Sequence, residues 1–284
     1  MRLGLHALGI GTGARREVID AVAAGAEAAG FATLWAGEHV VMVDDGDSRY
    51  PYAPDGRIAV PAQADWLDPL IALSFAAAAT STIRLATGVL LLPEHSPLLL
   101  AKQVASLDVL SRGRLSLGVG VGWSRKEFDA LGVPFERRGA RADEYLAAMR
   151  TVWRDDVASF AGEFVSFVDV RVNPRPVRDR RIPIVVGGNS DAALRRAARL
   201  ADGWYGFNLD GTEHVHERLE RLRRSCEQAS RDPAEVDVAV ALAGGGPHDH
   251  ERLAALGVGE LVLVSSPPAD PGAVEPWLAR LAGG

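Results

Sequence analysis

The stretch from Ile83 to Glu127 constrains the fold more than any other part of the chain. It contains two apolar runs rich in β-branched residues, Ile83–Leu92 and Arg114–Val121, on either side of the amphipathic segment Pro97–Leu110. The proline that opens this segment suits a first helical turn, and Gly113 suits the position just past a helix end. Because a helix separates the two runs, the pattern predicts two parallel strands that are buried on both faces.

Cap residues mark several of the predicted helix starts. Ser96 and Asp68 each precede a proline, so both are predicted to cap the helix that follows. Ser124 and Glu127 have the spacing of a capping box, which predicts another helix start. The strand before that helix ends in alternate glycines, Gly118, Gly120 and Gly122. Such glycines let a ligand approach backbone N–H groups, although close packing at a barrel corner explains them equally well.

Composition limits the class of protein. The 284 residues are 48% hydrophobic and 24% charged, which predicts one large domain over residues 1–284. No apolar run approaches the roughly 18 residues of a membrane helix, and residues 1–11 are typical of a strand and not of a signal peptide. The single cysteine, Cys226, provides no metal cluster, and the net charge of −6 argues against general nucleic-acid binding. We therefore expect a cytoplasmic protein with no metal, membrane or nucleic-acid partner.

Strand and helix patterns alternate eight times along the chain, which predicts an α/β fold of the (β/α)8 TIM-barrel class. A doubly wound open sheet is the alternative, but no Gly-x-Gly-x-x-Gly motif follows the first strand. Two segments interrupt the alternation: a long loop after the second strand, Val40–Trp66, and an insertion before the fifth strand, Asp155–Arg178, with a small hairpin at Ser159–Phe164. The predicted strands are Arg2–Leu8, Thr33–His39, Ile83–Leu92, Arg114–Val121, Pro183–Asn189, Gly203–Asn208, Val236–Leu242 and Glu260–Ser265.

Functional groups of a TIM barrel lie where its strands end, and these ends are polar and glycine-rich in this chain. The residues concerned are His6, Glu38, His39, Gly88 to Pro93, Gly120 to Trp123, Gly187 to Asn189, Asn208, Ser265 and Ser266. The run His248–Glu251 lacks a convincing third ligand, so it does not predict a metal site.

Five strings in this order resemble the bacterial luciferase-like flavin enzymes over residues 1 to about 207. The strings are Leu34–His39, Ile83–Val89, Ala105–Arg114, Leu117–Trp123, and Val186–Gly188 with Ala201–Trp204. The resemblance is greatest to the luciferase-like oxidoreductases that use the deazaflavin coenzyme F420. Tyr50–Gly56 and Trp66–Pro69 also resemble an actinobacterial subgroup of that branch.

The resemblance implies a place for the cofactor. Its ring would lie at the end of the third strand over a non-proline cis bond, which Gly88–Val89 matches, with Gly120 and Gly122 beside it. Its phosphate would lie near the fifth strand, where the following helix offers N–H donors. The implied cofactor-binding residues are His39, Thr87, Gly88, Val89, Gly120, Gly122, Gly187, Gly188, Asn189 and Ser190.

The resemblance also suggests catalytic residues. His39 matches a position beside the reacting carbon of the ring, and Glu38 is predicted to act directly, to orient His39 or to pair with an arginine. His6 and Trp123 are predicted to line the substrate pocket. Trp123 stands where the sugar-phosphate dehydrogenases of this branch have a carboxylic acid. We therefore do not expect a sugar phosphate as substrate, and the general acid is unassigned.

The function predicted is hydride transfer between coenzyme F420 and a small, weakly charged organic substrate. An FMN-dependent monooxygenase and a flavin-binding barrel without turnover are the alternatives. The loop Val40–Trp66, which we call the lid segment, is a candidate for closure over the site. A homodimer is expected by analogy alone.

Overall fold

A computed structural model describes residues 1–43, 49–53 and 55–283, and its strands follow the predicted order. The strands are β1 (Arg2–Leu8), β2 (Thr33–Ala36), β3 (Arg84–Thr87), β4 (Leu90–Leu91), β5 (Leu115–Gly120), β6 (Ala158–Ala161), β7 (Ser166–Val170), β8 (Ile184–Gly187), β9 (Gly203–Leu209), β10 (Asp237–Leu242) and β11 (Glu260–Val264). The helices are α1 (Arg16–Ala28), α2 (Pro69–Ala79), α3 (Pro97–Leu110), α4 (Arg125–Ala130), α5 (Arg138–Arg154), α6 (Asp191–Leu200), α7 (Gly211–Gln228), α8 (His250–Ala255) and α9 (Val274–Gly283). No helix in these ranges is both long and apolar enough to span a membrane.

The sheet closes into an eight-stranded barrel, which confirms the predicted fold. Its strands follow the order β3, β2, β1, β11, β10, β9, β8 and β5, and β3 pairs with β5 to close the ring. Each of these pairs is parallel. The short β4 also pairs with β5 and extends the third barrel strand beyond the Gly88–Val89 bond, which is cis as expected.

Several predicted boundaries were wrong. The second strand ends at Ala36 and not at His39, because the carbonyl of Gly37 accepts a hydrogen bond from Trp66 Nε1 (3.0 Å). The third is split into β3 and β4. The insertion before the fifth strand is confirmed, but its antiparallel hairpin, β6 with β7, is longer than predicted.

The amino-terminal end of the barrel is filled by a buried polar cluster. Glu260, at the start of β11, accepts hydrogen bonds from Trp35 Nε1 (2.9 Å), Thr33 Oγ1 (3.1 Å) and Arg84 Nη2 (2.7 Å). The Trp35 ring stacks on that of Tyr205 with centroids 4.6 Å apart. A buried carboxylate with this many donors is compensated, so the cluster provides a packed floor below the strand ends.

The helix starts provide a matched pair of stability predictions. The carboxylate of Asp68 accepts from the N–H groups of Leu70 (2.8 Å) and Ile71 (3.0 Å), whereas Ser96 occupies the N-cap position of α3 without a side-chain hydrogen bond. We therefore expect Asp68→Ala to lower the free energy of unfolding by about 1 kcal/mol. Ser96→Ala is the control and should change it little. If chemical denaturation shows that both variants lose the same free energy of unfolding, the assignment of Asp68 as the stronger cap is contradicted.

Candidate active site

His39 lies just beyond the end of β2 and is bound by a carboxylate from α4. Its Nδ1 is 2.8 Å from Oε2 of Glu127, and the two side chains are 7% and 1% exposed. The other carboxylate oxygen accepts from the N–H groups of Val40 (2.8 Å) and Val41 (3.3 Å). Because a carboxylate can only accept, a neutral His39 carries its proton on Nδ1 and keeps Nε2 as an acceptor.

Aromatic rings surround the imidazole of His39. The rings of Trp66 and Trp123 meet it edge to face, with centroids 4.9 Å and 5.7 Å away. Tyr50, from the lid segment, contacts the Trp123 ring in turn at 5.3 Å. Rings in this arrangement limit the access of water to the imidazole, and they place Trp123, a predicted substrate-pocket residue, next to His39.

Glu38 does not contact His39, although the two are adjacent in the sequence. Its carboxylate accepts from the N–H of Leu91 (2.6 Å), and both of its oxygens lie 3.1 Å from Nε2 of His95. The interpretations that Glu38 orients His39 or pairs with an arginine were therefore wrong, and its direct catalytic role stays a prediction.

The side chain of His95 is charged more readily than an ordinary histidine. Burial lowers the pKa of His95, but the hydrogen bond and the negative charge of Glu38 outweigh burial and raise the pKa above its ordinary value. This pair fixes the turn after β4 to the end of β2.

Three of the predicted cofactor glycines have a packing explanation. A Cβ atom at Gly120 or at Gly187 would lie 2.7 Å or 2.6 Å from the side chain of Val89, and one at Gly122 would lie 2.5 Å from the ring of Phe128. A side chain at any of these positions would force its neighbour to move, so close packing in the barrel explains the glycines without a ligand. Their roles in cofactor binding stay predictions, and any contact with the cofactor would be made by their backbone groups.

The start of α6 is the part of the predicted site best suited to an anion. Gly188 has a φ of +114°, and a Cβ there would lie 3.3 Å from the Tyr52 hydroxyl. Ser190 caps the helix by accepting from the N–H of Ala193 (3.2 Å), as predicted. The amide side chain of Asn189 is fixed by two hydrogen bonds to the backbone of Phe207 (2.7 Å and 3.1 Å).

Positive charge also lies close to this helix start. Arg218, from α7, donates from Nη1 to the carbonyl of Asn189 (3.2 Å). The acidic side chain in the first turn, Asp191, is paired with Arg221 at 2.8 Å. Both arginines are also paired with Glu217, at 2.5 Å and 3.2 Å. The N–H groups and the dipole of α6 are therefore the main features that favour a phosphate at the Gly188–Ser190 turn.

Two further predicted residues lie deeper in the barrel. His6 is buried, with Nδ1 3.3 Å from the Tyr205 hydroxyl, and a Cβ at Gly88 would lie 3.3 Å from its ring. Burial lowers the pKa of His6 to about 4, so its imidazole is neutral at physiological pH. Thr87 is fully buried and donates its hydroxyl to the carbonyl of Gly118 (2.6 Å), where it joins β3 to β5.

The described part of the lid segment crosses the carboxyl-terminal mouth of the barrel. Asn208 Nδ2 donates to the carbonyl of Tyr52 (2.6 Å), and the Tyr52 ring contacts that of Phe207 at 5.8 Å. The segment thus extends from the Trp123 side of the mouth to the Gly188 side. Residues 44–48 and 54 of this segment lie outside the described residues, and its closure stays a prediction.

The sequence interpretation missed two carboxyl groups, Glu127 and Glu94. The capping-box pattern of Ser124 and Glu127 was correct in part, because Ser124 Oγ accepts from the N–H of Glu127 (3.4 Å). The Glu127 carboxylate, however, binds His39 and the backbone after it. Glu94, in the turn after β4, has two buried carboxyl oxygens with no hydrogen-bond partner among the described residues. Its sequence context carries no signal of that burial.

Gly188 supports a test of the anion site. Gly188→Ala should weaken cofactor binding about tenfold, because the added methyl group occupies space beside the Tyr52 hydroxyl and the first turn of α6. It should also lower the free energy of unfolding by about 1–2 kcal/mol, because φ is positive. Gly132→Ala is the matched control, since Gly132 has a φ of +68° and nothing within 4 Å of an added Cβ. Equal cofactor affinity in both variants would move the phosphate elsewhere.

Comparison with known proteins shows similarity to one family throughout most of the chain. The family model described as luciferase-like monooxygenase matches residues 4–244. An uncharacterized protein of Mycobacterium tuberculosis is 37% identical over 258 residues, which cover 90% of this chain and 90% of that protein. The FMNH2-dependent dimethylsulfone monooxygenase of Pseudomonas putida is 34% identical over 149 residues, which cover 51% of this chain and 40% of that enzyme.

A solved structure shares the complete fold. The coenzyme F420-dependent tetrahydromethanopterin reductase of Methanopyrus kandleri superimposes with a TM-score of 0.75 over 98% of this chain and 96% of its own. At 18% sequence identity, this likeness supports the barrel architecture and nothing finer.

Proposed function

Because the chain belongs to the luciferase-like monooxygenase family, we propose that it is an oxidoreductase that uses coenzyme F420. The reaction would be hydride transfer between the deazaflavin and a small, weakly charged organic substrate. The observation that carries this proposal is the buried His39–Glu127 pair at the mouth of the barrel, 2.8 Å apart. It presents one imidazole nitrogen for proton transfer in a site lined by tryptophan rings.

The residues present fit such a cofactor. The turn Gly188–Ser190 would bind the phosphate through backbone N–H groups and the first turn of α6, with Arg218 adding positive charge. His39 and the Gly88–Val89 turn would border the ring. A bound deazaflavin supplies two-electron hydride chemistry, because its ring lacks the nitrogen that favours reaction with oxygen.

In this proposal the residues around His39 have defined tasks. His39 gives or takes at Nε2 the proton that accompanies hydride transfer, and Glu127 orients the imidazole by binding Nδ1. Trp66 and Trp123 exclude water from the imidazole. Neutral His6 gives the floor of the pocket no charge, which suits a weakly charged substrate.

An FMN-dependent monooxygenase is the second candidate. The local 34% identity to an FMNH2-dependent dimethylsulfone monooxygenase favours it over a flavin-binding barrel without turnover. That match covers 40% of the monooxygenase, so the substrate of that enzyme carries little weight for this chain.

Measuring turnover with and without oxygen distinguishes the F420-dependent oxidoreductase from the FMN-dependent monooxygenase. We expect the protein to oxidise reduced coenzyme F420, followed by the return of deazaflavin absorbance, with members of a panel of small ketones, aldehydes and enones in the absence of oxygen. A reaction that needs both reduced FMN and oxygen would support the monooxygenase instead. Absence of turnover with either cofactor across the panel would favour a binding protein. A cytoplasmic homodimer is also part of this proposal, by analogy with related enzymes.

A further inference from the structure

Glu94 is a buried carboxyl group for which the proposed mechanism has no task. It ends the short turn Leu92–Glu94 after β4, and neither carboxyl oxygen has a hydrogen-bond partner in the described part of the chain. Its Oε1 is 3.3 Å from where a Cβ at Gly122 would lie, so the carboxyl packs against the loop that follows β5. A buried carboxylate without donors is costly, which indicates an uncharged carboxylic acid.

The two neighbouring carboxylates differ from Glu94 because each has its own donors. Glu127 accepts from His39 and two backbone N–H groups, and Glu38 accepts from His95 and one backbone N–H. Burial, then the negative charge of Glu127, then that of Glu38, raise the pKa of Glu94 to about 9. The carboxyl group of Glu94 therefore keeps its proton at neutral pH.

Other charges near this turn do not offset that effect. Titratable and charged side chains on the elements around it include Glu38, His39 and His95 near the ends of β2 and β4, Arg125, Lys126, Glu127 and Asp129 on α4, and Arg138 and Arg141 at the start of α5. Arg138 donates to the carbonyl of Gly122 (3.0 Å) and lies over the ring of Phe135. Arg141 donates to the carbonyl of Pro134 (2.6 Å).

We propose that Glu94 is a positioning residue that preserves the His39–Glu127 pair by remaining uncharged. A third carboxylate at this place would repel Glu127 and would oppose the negative charge that a deazaflavin ring accepts with a hydride. Ionisation of Glu94 in alkaline solution would then disturb the pair. The link to hydride transfer rests on the proposed function, whereas the coupling of Glu94 to His39 does not.

The coupling is measured on the cofactor-free protein by nitrogen-15 NMR of its histidine rings. In the wild type, the ring nitrogens of His39 should show an inflection near pH 9. Glu94→Gln and Glu94→Leu, which cannot ionise, should both lack it, and exposed His216 serves as the internal control. An inflection that persists in both variants, or none in the wild type, would overturn the proposal. This result is independent of whether coenzyme F420 is the cofactor.

Thermal unfolding tests the charge state separately. The folded-state pKa of Glu94 lies above its ordinary value of 4.5, so the folded state binds more protons than the unfolded state between about pH 4.5 and 9. The stability of the wild type relative to Glu94→Gln should therefore fall as pH rises through this window. Glu251→Gln, at an exposed position, is the control. A pH-independent difference between Glu94→Gln and the wild type would contradict an uncharged Glu94.

The kinetic consequence is tested with reduced coenzyme F420. The wild-type rate should decline above about pH 9, and Glu94→Gln should lose this alkaline decline. If NMR shows the coupling but F420 is not oxidised, the proposed function fails and the inference about Glu94 stands. If F420 is oxidised and both proteins show the same pH profile, the positioning role fails alone.

Discussion

Replacing His39 with alanine is expected to slow turnover at saturating cofactor by about 10²–10⁴-fold, which is the usual cost of losing a general acid or base. Nδ1 of His39 binds Glu127 at 2.8 Å, which leaves Nε2 as the ring nitrogen available for proton transfer. A residue that only binds the cofactor would mainly raise its dissociation constant. We therefore expect kcat to fall far more than cofactor affinity in His39→Ala, as measured by steady-state kinetics and fluorescence titration on one preparation.

The competing structural interpretation makes a different prediction for the same variant. If the imidazole only satisfies buried Glu127, its loss lowers the melting temperature and leaves turnover per folded molecule close to normal. His216→Ala, on the exposed face of α7, controls for the loss of a histidine outside the site. Near-normal turnover of the folded His39→Ala protein would leave the chain without an identified catalytic residue.

Replacing Glu127 with glutamine is expected to reverse the tautomer of His39 and to slow turnover at least about 10²-fold. The amide can still accept from the backbone N–H groups of Val40 and Val41, but its NH2 then faces Nδ1. Nδ1 must become the acceptor, and Nε2 takes the proton. A comparable tautomer reversal in a Ser-His-Asp triad costs about 10⁴-fold.

Nitrogen-15 shifts of the His39 ring measure this tautomer directly. The wild type should show a protonated Nδ1, and Glu127→Gln a protonated Nε2. Glu136→Gln is the matched control, because Glu136 is exposed and pairs with Arg125 at 2.7 Å near the same loop. An unchanged tautomer together with slow turnover would show that Glu127 acts by another route.

The barrel could be predicted from the sequence because it depends on patterns that recur along the chain. Apolar runs typical of strands alternate with amphipathic segments that have helix caps. Each of these patterns can be recognised within a short stretch of sequence. The ends of strands were less predictable because they depend on residues that are distant in the sequence. Just after β2, for example, the carbonyl of Gly37 accepts a hydrogen bond from Trp66 Nε1 and not from a neighbouring strand.

The candidate site was less accessible to sequence reasoning for the same reason. The sequence suggested that Gly120 and Gly187 let a ligand approach the backbone. In the structure, the side chain of Val89 packs against both positions, which is enough to explain the absence of a side chain there. The sequence pattern identified Glu127 only as part of a helix cap. Its contact with His39 could not be predicted because the two residues are 88 positions apart in the sequence. Nothing in the pattern around Glu94 shows that its carboxyl lacks a donor. Contacts of this range require the folded coordinates.

A side-by-side titration with coenzyme F420 and FMN tests the central claim most directly. Trp66 and Trp123 lie against His39, so a ring bound there should quench tryptophan fluorescence. We expect saturable quenching by coenzyme F420 with a dissociation constant at least about tenfold below that for FMN. Tight binding of FMN together with no saturable response to coenzyme F420 would contradict the deazaflavin assignment.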